Sequence, residues 1–387
     1  MRDWLARFIT PLNETDLDLL TLWAAHTHLV EETYTTPRLV LDSPTHGSGK
    51  TTVLEHLLRI CHDPLQAASL SSPSLLTRML DVGMRTVLID EADRSLNPKN
   101  EGVGELIAII NSGYKKGGTR PVLVPAKEGG WVAQEMPTFC PVAMAGNNPQ
   151  LPDDTRSRCV RVLLMPDAQG LAEESEWEYI DDDARLMGGR LAAWADEVRD
   201  VVRLDRAELP EGIRGRSKER WKPLKRVANA AGGKWPGVVD ELAVTDRELA
   251  KMELEEGYVQ EKPTVAVVRH IAQVCTEDEV FIPTKELISR LVAHAPEAWG
   301  EDVMRQRSEL TPQRLSRMLR EGYMIQPTRS DGGRGARGYL LAKFAVPFRR
   351  LGISAPGIAG ATGGTGGTGG ERPVGVWLGS GEPVVRQ

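Results

Sequence analysis

Residues 38–58 read RLVLDSPTHGSGKTTVLEHLL, and the stretch from Ser43 to Thr52 within them decides the fold. An apolar run, Arg38-Leu39-Val40-Leu41, feeds a loop ending in Gly49-Lys50-Thr51-Thr52 and opens onto the amphipathic stretch Val53-Leu54-Glu55-His56-Leu57-Leu58. Strand, glycine-bearing loop and helix in that order is the context in which a phosphate-binding P-loop is credible. Gly47 and Gly49, with Ser48 between them, let backbone N–H groups turn toward a polyphosphate, and the new helix aims its positive end at the same point. Lys50 is then placed to reach the β- and γ-phosphates of ATP, and the Thr51 hydroxyl to ligate Mg²⁺. The usual first glycine of the GxxxxGK[ST] pattern is Pro44 here. A rigid proline also turns the chain out of a strand, so the departure changes the start of the loop and leaves its phosphate end intact.

A second half of such a site lies downstream. Thr86-Val87-Leu88-Ile89 runs directly into Asp90-Glu91. A continuous apolar run reads as a strand buried on both faces of a parallel sheet, whose carboxyl end is where such sheets bind ligands. Asp90 is then the second Mg²⁺ residue, and Glu91 the base that polarises the attacking water.

The bulk numbers narrow the class. The chain has 387 residues, 41% hydrophobic and 26% charged, which allows two or three domains and is an ordinary globular balance. A net charge of −6 excludes a basic nucleic-acid coat, so any nucleic-acid contact must be local. Cys61, Cys140, Cys159 and Cys275 are scattered with no CxxC pair, which argues against a zinc module or disulfide framework and fits a reducing cytoplasm. The start, MRDWLARFIT, lacks a signal-peptide core, and no apolar run reaches the ~18 residues of a membrane span, so neither secretion nor a membrane partner is expected.

In chain order, residues 1–36 read as helical, with Leu17, Leu19, Leu20, Leu22 and Trp23 as an apolar stripe and His26 and His28 as core or edge histidines. A short strand is expected over Ser69–Pro73, then a helix from Ser74 to Leu80 and another over Gly104–Tyr114. Val122-Leu123-Val124 and Trp131-Val132-Ala133 flank a glycine-bearing turn and predict a β-hairpin with Lys127 at its tip. A strand over Pro141–Ala145 ends in Gly146-Asn147-Asn148, and Thr155-Arg156-Ser157-Arg158 precedes the strand Val160–Met165.

That order resembles AAA+ type ATPases. The resemblance implies that Asn147, or else Asn148, senses the γ-phosphate, and that Arg158 or Arg156 completes the site of a neighbouring subunit. A guanidinium suits that role because it neutralises, in a planar and bidentate way, charge spreading over phosphoryl oxygens. A broader resemblance rests on LDLLTLWAAHTH, TPRLVLDSPTHGSGKTT, TVLIDEADR, NSGYKKGG, PVAMAGN, LPDDTRSRCVRV, RWKPLKRVANAAGGKWP, TPQRLSRMLREGYMIQ and GARGYLL. Together, from about Asp16 to Arg350, these look like an uncharacterised phage, plasmid and mobile-element P-loop ATPase family. That family is known as a domain of unknown function associated with primase and helicase modules. It implies ATP binding and a part in DNA replication or mobilisation, with a replication protein as a further partner.

Beyond the acidic stretch Glu173–Asp183, the pattern is helical to about Glu256, the place of a lid over the nucleotide, with Arg216 either a lid arginine reaching the phosphates or an ordinary surface residue. The last folded stretch, Lys262–Arg350, reads as helices at Val265–Val274, from a Thr284 cap, and from Thr311-Pro312. A hairpin over Tyr323–Gln326 and Gly338–Leu341 closes it, which suggests a winged helix-turn-helix. Between Val303 and Arg350 eleven Lys or Arg, among them Arg314, Arg317, Arg334 and Arg337, face only Glu309, Glu321 and Asp331. That imbalance points to a phosphate-backbone contact with DNA. From about Ser354 a Gly/Thr-rich tail cannot bury enough surface to fold.

The expected architecture is therefore α/β, an AAA+ type P-loop NTPase with a helical lid and a C-terminal winged-helix-like domain. Its parts are a core over 1–170, a lid over 171–260, a basic domain over 261–352 and a tail over 353–387. The expected function is an Mg²⁺-dependent ATPase forming a homo-oligomeric ring, a hexamer by preference, that translocates on or unwinds DNA. The rival is an ATP-switched loader or regulatory factor that binds a partner without processive movement.

Overall fold

Alternate residues of the apolar runs point to opposite faces, and the first unit is built on that two-sided sheet. The computed structural model describes residues 1–67, 73–97, 100, 102–125, 130–255, 261–276, 279–301, 309–330 and 334–354. They fall into two units, Met1–Met252 and Glu253–Gln387. The first carries, in order, α1 (Arg2–Phe8), α2 (Thr15–His28), β1 (Arg38–Ser43), α3 (Lys50–Ile60), β2 (Pro64–Ala67), α4 (Pro73–Val82), β3 (Thr86–Ile89), α5 (Ala92–Ser95) and α6 (Val103–Ser112). Then come β4 (Thr119–Pro125), β5 (Trp131–Pro137), β6 (Val142–Asn147), α7 (Asp153–Arg156), β7 (Cys159–Leu163), α8 (Trp177–Leu204), α9 (Gly215–Ala231) and α10 (Trp235–Glu255).

β2, β3, β6, β1 and β7 form one parallel sheet in that spatial order, and β4 pairs with β5 as a separate antiparallel hairpin. Leu39 and Leu41 of β1, Ala143 and Ala145 of β6 and Val160 and Val162 of β7 enter one core with α1, α2, α3 and α8–α10. Val40, Val142, Met144, Val87 and Ile89 enter a second core with α4 and α6. Burial on both faces explains why β1, β3 and β6 read as apolar runs; β7, at the sheet's end, exposes Arg161. The hairpin expected around residues 122–133 is present, but Lys127 lies outside the described residues, as does most of the strand expected at Ser69–Pro73. Among the described residues, β2 at Pro64–Ala67 pairs with β3.

The back of α3 is sealed by aromatic packing. His56 is fully buried; Trp4 Nε1 donates to its Nδ1 at 3.2 Å, and its Nε2 donates to Ser175 Oγ at 3.1 Å. Burial pushes His56 down to about 4, and burial also pushes His26 down to about 3. His28 is likewise lowered by burial, its Nε2 donating to Ile60 O at 2.8 Å. Unfolding lets all three take up protons that the folded chain refuses. Their contribution to stability is thus complete above the ordinary histidine pKa of 6.5 and is lost as pH falls below it, down to about 4 for His56 and about 3 for His26. His26 and His56 each contribute a slope of about 1.4 kcal/mol per pH unit in that window, and His28 adds to it in the same sense. Asp16, raised by burial to about 6, acts in the opposite sense, because the folded chain holds its proton longer. With three groups against one, the urea midpoint of the first unit is expected to be lower at pH 5 than at pH 7.5; an equal or higher midpoint at pH 5 would contradict this.

The second unit contains α11 (Pro263–Val274), β8 (Phe281–Pro283), α12 (Thr284–His294), α13 (Pro296–Trp299), α14 (Pro312–Tyr323), β9 (Thr328–Arg329), β10 (Arg337–Leu340) and α15 (Ala345–Leu351). β8, β10 and β9 form an antiparallel sheet in that order, and Leu287, Leu291, Leu315, Leu319, Tyr339 and Phe344 fill its core. Three details depart from expectation. Thr284 is the first helical residue and not the cap, and its buried hydroxyl has no hydrogen-bond partner among the described residues. The first arm of the hairpin begins at Thr328, because α14 runs on to Tyr323 and ends at Met324 in the left-handed region. β8, too short for a periodicity signal, completes the sheet.

Candidate active site

The parallel order brings the ends of β1, β3 and β6 to one edge, where Ser43 is level with Asn147. Gly47 and Gly49 adopt φ of 72° and 77°, and nothing lies within 4 Å of where a Cβ would stand on either. The constraint at these two positions is therefore the left-handed backbone, a conformation that glycine adopts at little cost. Ser48 is buried and donates from Oγ to Thr45 O at 2.8 Å. Lys50 donates to Asn147 Oδ1 at 2.8 Å and to Ser43 Oγ. Burial lowers the Lys50 pKa, and the nearby charges of Asp42, Asp93 and Asp90 oppose that shift. Thr51 donates from Oγ1 to Asp90 Oδ2 at 3.4 Å. Thr52, one residue on, is half-buried.

Glu91 is the first residue past Asp90, and its N–H donates to Asp90 Oδ1 at 2.8 Å. Its φ of 48° lies in the left-handed region, an uncommon and costly conformation for glutamate of the kind that collects at functional sites. The carboxylate is exposed and pairs with Arg94 at 3.2 Å.

The asparagines at the end of β6 are held differently. Asn147 meets Lys50 through Oδ1, donates from Nδ2 to His46 Nδ1 at 3.0 Å, and donates its backbone N–H to Asp93 Oδ1 at 3.1 Å. Asn148 turns away, its N–H donating to buried Asp42 Oδ1 at 2.8 Å while Asp42 pairs with Arg161 at 2.6 Å. Gly146 permits this closeness: a Cβ there would stand 2.8 Å from Asp93 N. Sequence reasoning missed Asp42, Ser43, His46 and Asp93 as members of this edge. For Asp93 the available signal was its place three residues after Asp90, in Asp90-Glu91-Ala92-Asp93.

The site residues fit ATP with Mg²⁺. Open glycines, a lysine among carboxylates and a Thr51–Asp90 pair match a cation shared with phosphate oxygens. Among the described residues no group of three or more His, Cys, Asp or Glu forms a cage of its own. When bound, such a cation would supply charge against developing phosphoryl oxygens, with Thr51 and Asp90 placed to hold it and Lys50 to orient the phosphates.

Arg156 and Arg158 lie at the opposite edge. Cys159 pairs with Arg38 at the start of β1, and Arg38 N donates to Arg158 O at 3.1 Å. Five residue steps of strand, about 17 Å, separate that edge from Ser43. Arg156 is exposed and donates to Leu151 O at 3.2 Å; Arg158 is largely buried and paired with Asp154. Arg216, read from sequence as a lid arginine or an ordinary surface residue, sits at this same far edge, bonded to Glu219 at 2.5 Å and over the ring of Tyr114. The reason is that α9 begins beside residues 35 and 115, where Thr35 Oγ1 donates to Glu219 O at 2.7 Å and Lys115 pairs with Glu219 at 2.8 Å.

Residues 173–351 match a family model described as "Protein of unknown function (DUF3631)". A domain of unknown function is thus matched from just before α8 to the end of α15, and the P-loop lies outside that range. No curated protein matches the chain. Solved structures that it is similar to include the A form apo structure of the NrS-1 C-terminal region, at 15% identity and TM-score 0.41, covering 85% of this chain and 72% of that one. A JCV helicase bound to a small molecule is similar at 18% identity and TM-score 0.26, over 57% and 61% of the two chains. The Thermotoga maritima RuvB Holliday junction branch migration motor is similar at 15% and 0.25, over 89% and 96%.

In the second unit, Arg317, Arg334 and Arg337 are exposed and Arg314 is half-buried, on α14 and on the hairpin formed by β9 and β10. α14 buries Leu315, Met318 and Leu319, which leaves Arg317 and Arg320 on its outer face. Among the described residues, no helix is long and apolar enough to cross a membrane.

Proposed function

We propose that this chain is an Mg²⁺-dependent ATPase of AAA+ type that acts on DNA as a translocating or unwinding motor. The observation that carries the reading is the meeting of Lys50, Thr51, Asp90 and Asn147 at one edge of the parallel sheet. The strand order supports it, since one strand, β6, stands between the P-loop strand and the acidic strand and brings its terminal asparagine to the lysine. In this reading Glu91 polarises the attacking water, Asn147 senses the γ-phosphate, and Thr51 with Asp90 holds the cation. Arg156 or Arg158, too far from its own P-loop, serves a neighbouring subunit, so the active form is a homo-oligomer, with a hexameric ring preferred. The boundaries after residues 170, 260 and 352, with α8–α10 as lid, belong to the same proposal.

The second unit is proposed as a winged helix that anchors DNA. Its antiparallel sheet, its helices α11, α12 and α14, and its exposed arginines support that role. Forked or single-stranded DNA is expected to raise the ATPase rate severalfold, with stimulation fading as salt rises. Arg317→Ala and Arg337→Ala should each reduce the slope of log affinity against log salt by about 1. A rate indifferent to DNA would favour the ATP-switched loader over the motor.

A further inference from the structure

Tyr114 follows α6 at the far edge, fully buried, and its carbonyl accepts from Thr36 N at 3.0 Å just before β1. Three guanidinium groups surround its ring, with their carbons 5.9 Å (Arg38), 5.7 Å (Arg158) and 5.5 Å (Arg216) from the centroid. They come from the start of β1, the turn before β7 and the start of α9. Two are fixed independently of the ring. Arg38 is buried and donates to Ile110 O and Cys140 O, and Arg216 is tied to Glu219. Arg158 is not so fully held. One side of its guanidinium pairs with Asp154, while its buried Nε has no hydrogen-bond partner among the described residues, which leaves the ring as the other constraint on its plane.

We propose that Tyr114 is a positioning residue for Arg158, setting with its aromatic face the plane in which that guanidinium meets a neighbouring subunit. The inference rests on the reading of Arg158 as the arginine that acts on the neighbour's nucleotide. A guanidinium is drawn to the negative face of an aromatic ring, and its planarity makes the contact directional. The ring is the operative part, because the buried Tyr114 hydroxyl has no hydrogen-bond partner among the described residues. Arg216 shares the same ring, so α9 contacts the element that orients Arg158.

The test is steady-state hydrolysis by the full chain carrying Tyr114→Phe, Tyr114→Leu or Arg158→Ala, alone and mixed with Lys50→Ala. Tyr114→Phe should stay within about twofold of wild type, and Tyr114→Leu should lower kcat about tenfold with KM for ATP unchanged. Mixing Tyr114→Leu with Lys50→Ala should restore activity, since Lys50→Ala subunits bring an intact Tyr114 and Arg158 to the Tyr114→Leu P-loops. A Tyr114→Leu chain at wild-type rate beside a slow Arg158→Ala chain overturns the inference alone. A raised KM with no rescue in the mixture overturns it too, by making Tyr114 a residue of general stability. Wild-type hydrolysis by Arg158→Ala instead defeats the assignment of Arg158 on which the inference rests.

Discussion

A Glu91→Gln chain is expected to bind ATP with Mg²⁺ as tightly as the wild type and to hydrolyse it about 10²–10⁴-fold more slowly. Glutamine keeps the shape of the side chain and removes its capacity to accept a proton from water. Lys50, Thr51 and Asp90, which carry binding, are untouched. The pairing of Glu91 with Arg94 is no obstacle to this role, because both side chains are more than half exposed. Such exposed pairs contribute about 0–1 kcal/mol, so the carboxylate leaves its partner at small cost. Retained nucleotide binding by filter assay beside lost phosphate release checks the prediction. Unchanged turnover would assign the attacking water to another group.

The second large effect is expected from the arginines at the far edge. Alanine at whichever of Arg156 and Arg158 acts on the neighbour should lower the rate about 10³–10⁵-fold, the range found where such arginines have been dissected. Their distance from their own P-loop makes the defect complementable. Arg158→Ala and Lys50→Ala, each inactive alone, should regain activity when mixed, because one mixed pairing joins an intact P-loop to an intact arginine. The two arginines differ in what holds them: Arg158 is paired with Asp154 and lies over Tyr114, whereas Arg156 is exposed. Running both substitutions through the mixture separates them. Loss without complementation by either would place the arginine effect within a single subunit.

The parallel sheet was legible because β1, β3 and β6 bury both faces and read as apolar runs beside their turn signals, while β7, at the sheet's end, keeps its apolar residues around the exposed Arg161. β2 was not, since Pro64-Leu65-Gln66-Ala67 is half-buried and holds only one large apolar residue. At the site, the residues of the contiguous motif were readable from their spacing, whereas Asp42, His46 and Asp93 join it through strand register and loop path. Asn147 and Asn148 are neighbours in sequence, but strand alternation sends one side chain to Lys50 while the other residue's N–H meets Asp42. The place of Arg216 was not legible for a related reason. A helix after the sheet can dock at either edge, and the bonds that anchor α9 to residues 35 and 115 join positions far apart in the chain. In the second unit, the end of α14 depended on Met324 taking a left-handed conformation, which its side chain does not announce.

The central claim is hydrolysis of ATP at the edge formed by Lys50, Thr51, Asp90 and Asn147. Its most direct test is the steady-state rate of phosphate release by the purified chain with ATP and Mg²⁺, compared with Lys50→Ala under the same conditions. Hydrolysis by the wild type that falls at least about 10²-fold in Lys50→Ala, the scale of removing one preorganised charge-stabilising group, is the predicted result. Equal rates in the two chains, or none in the wild type with or without DNA, would contradict it and leave the loop without a catalytic role.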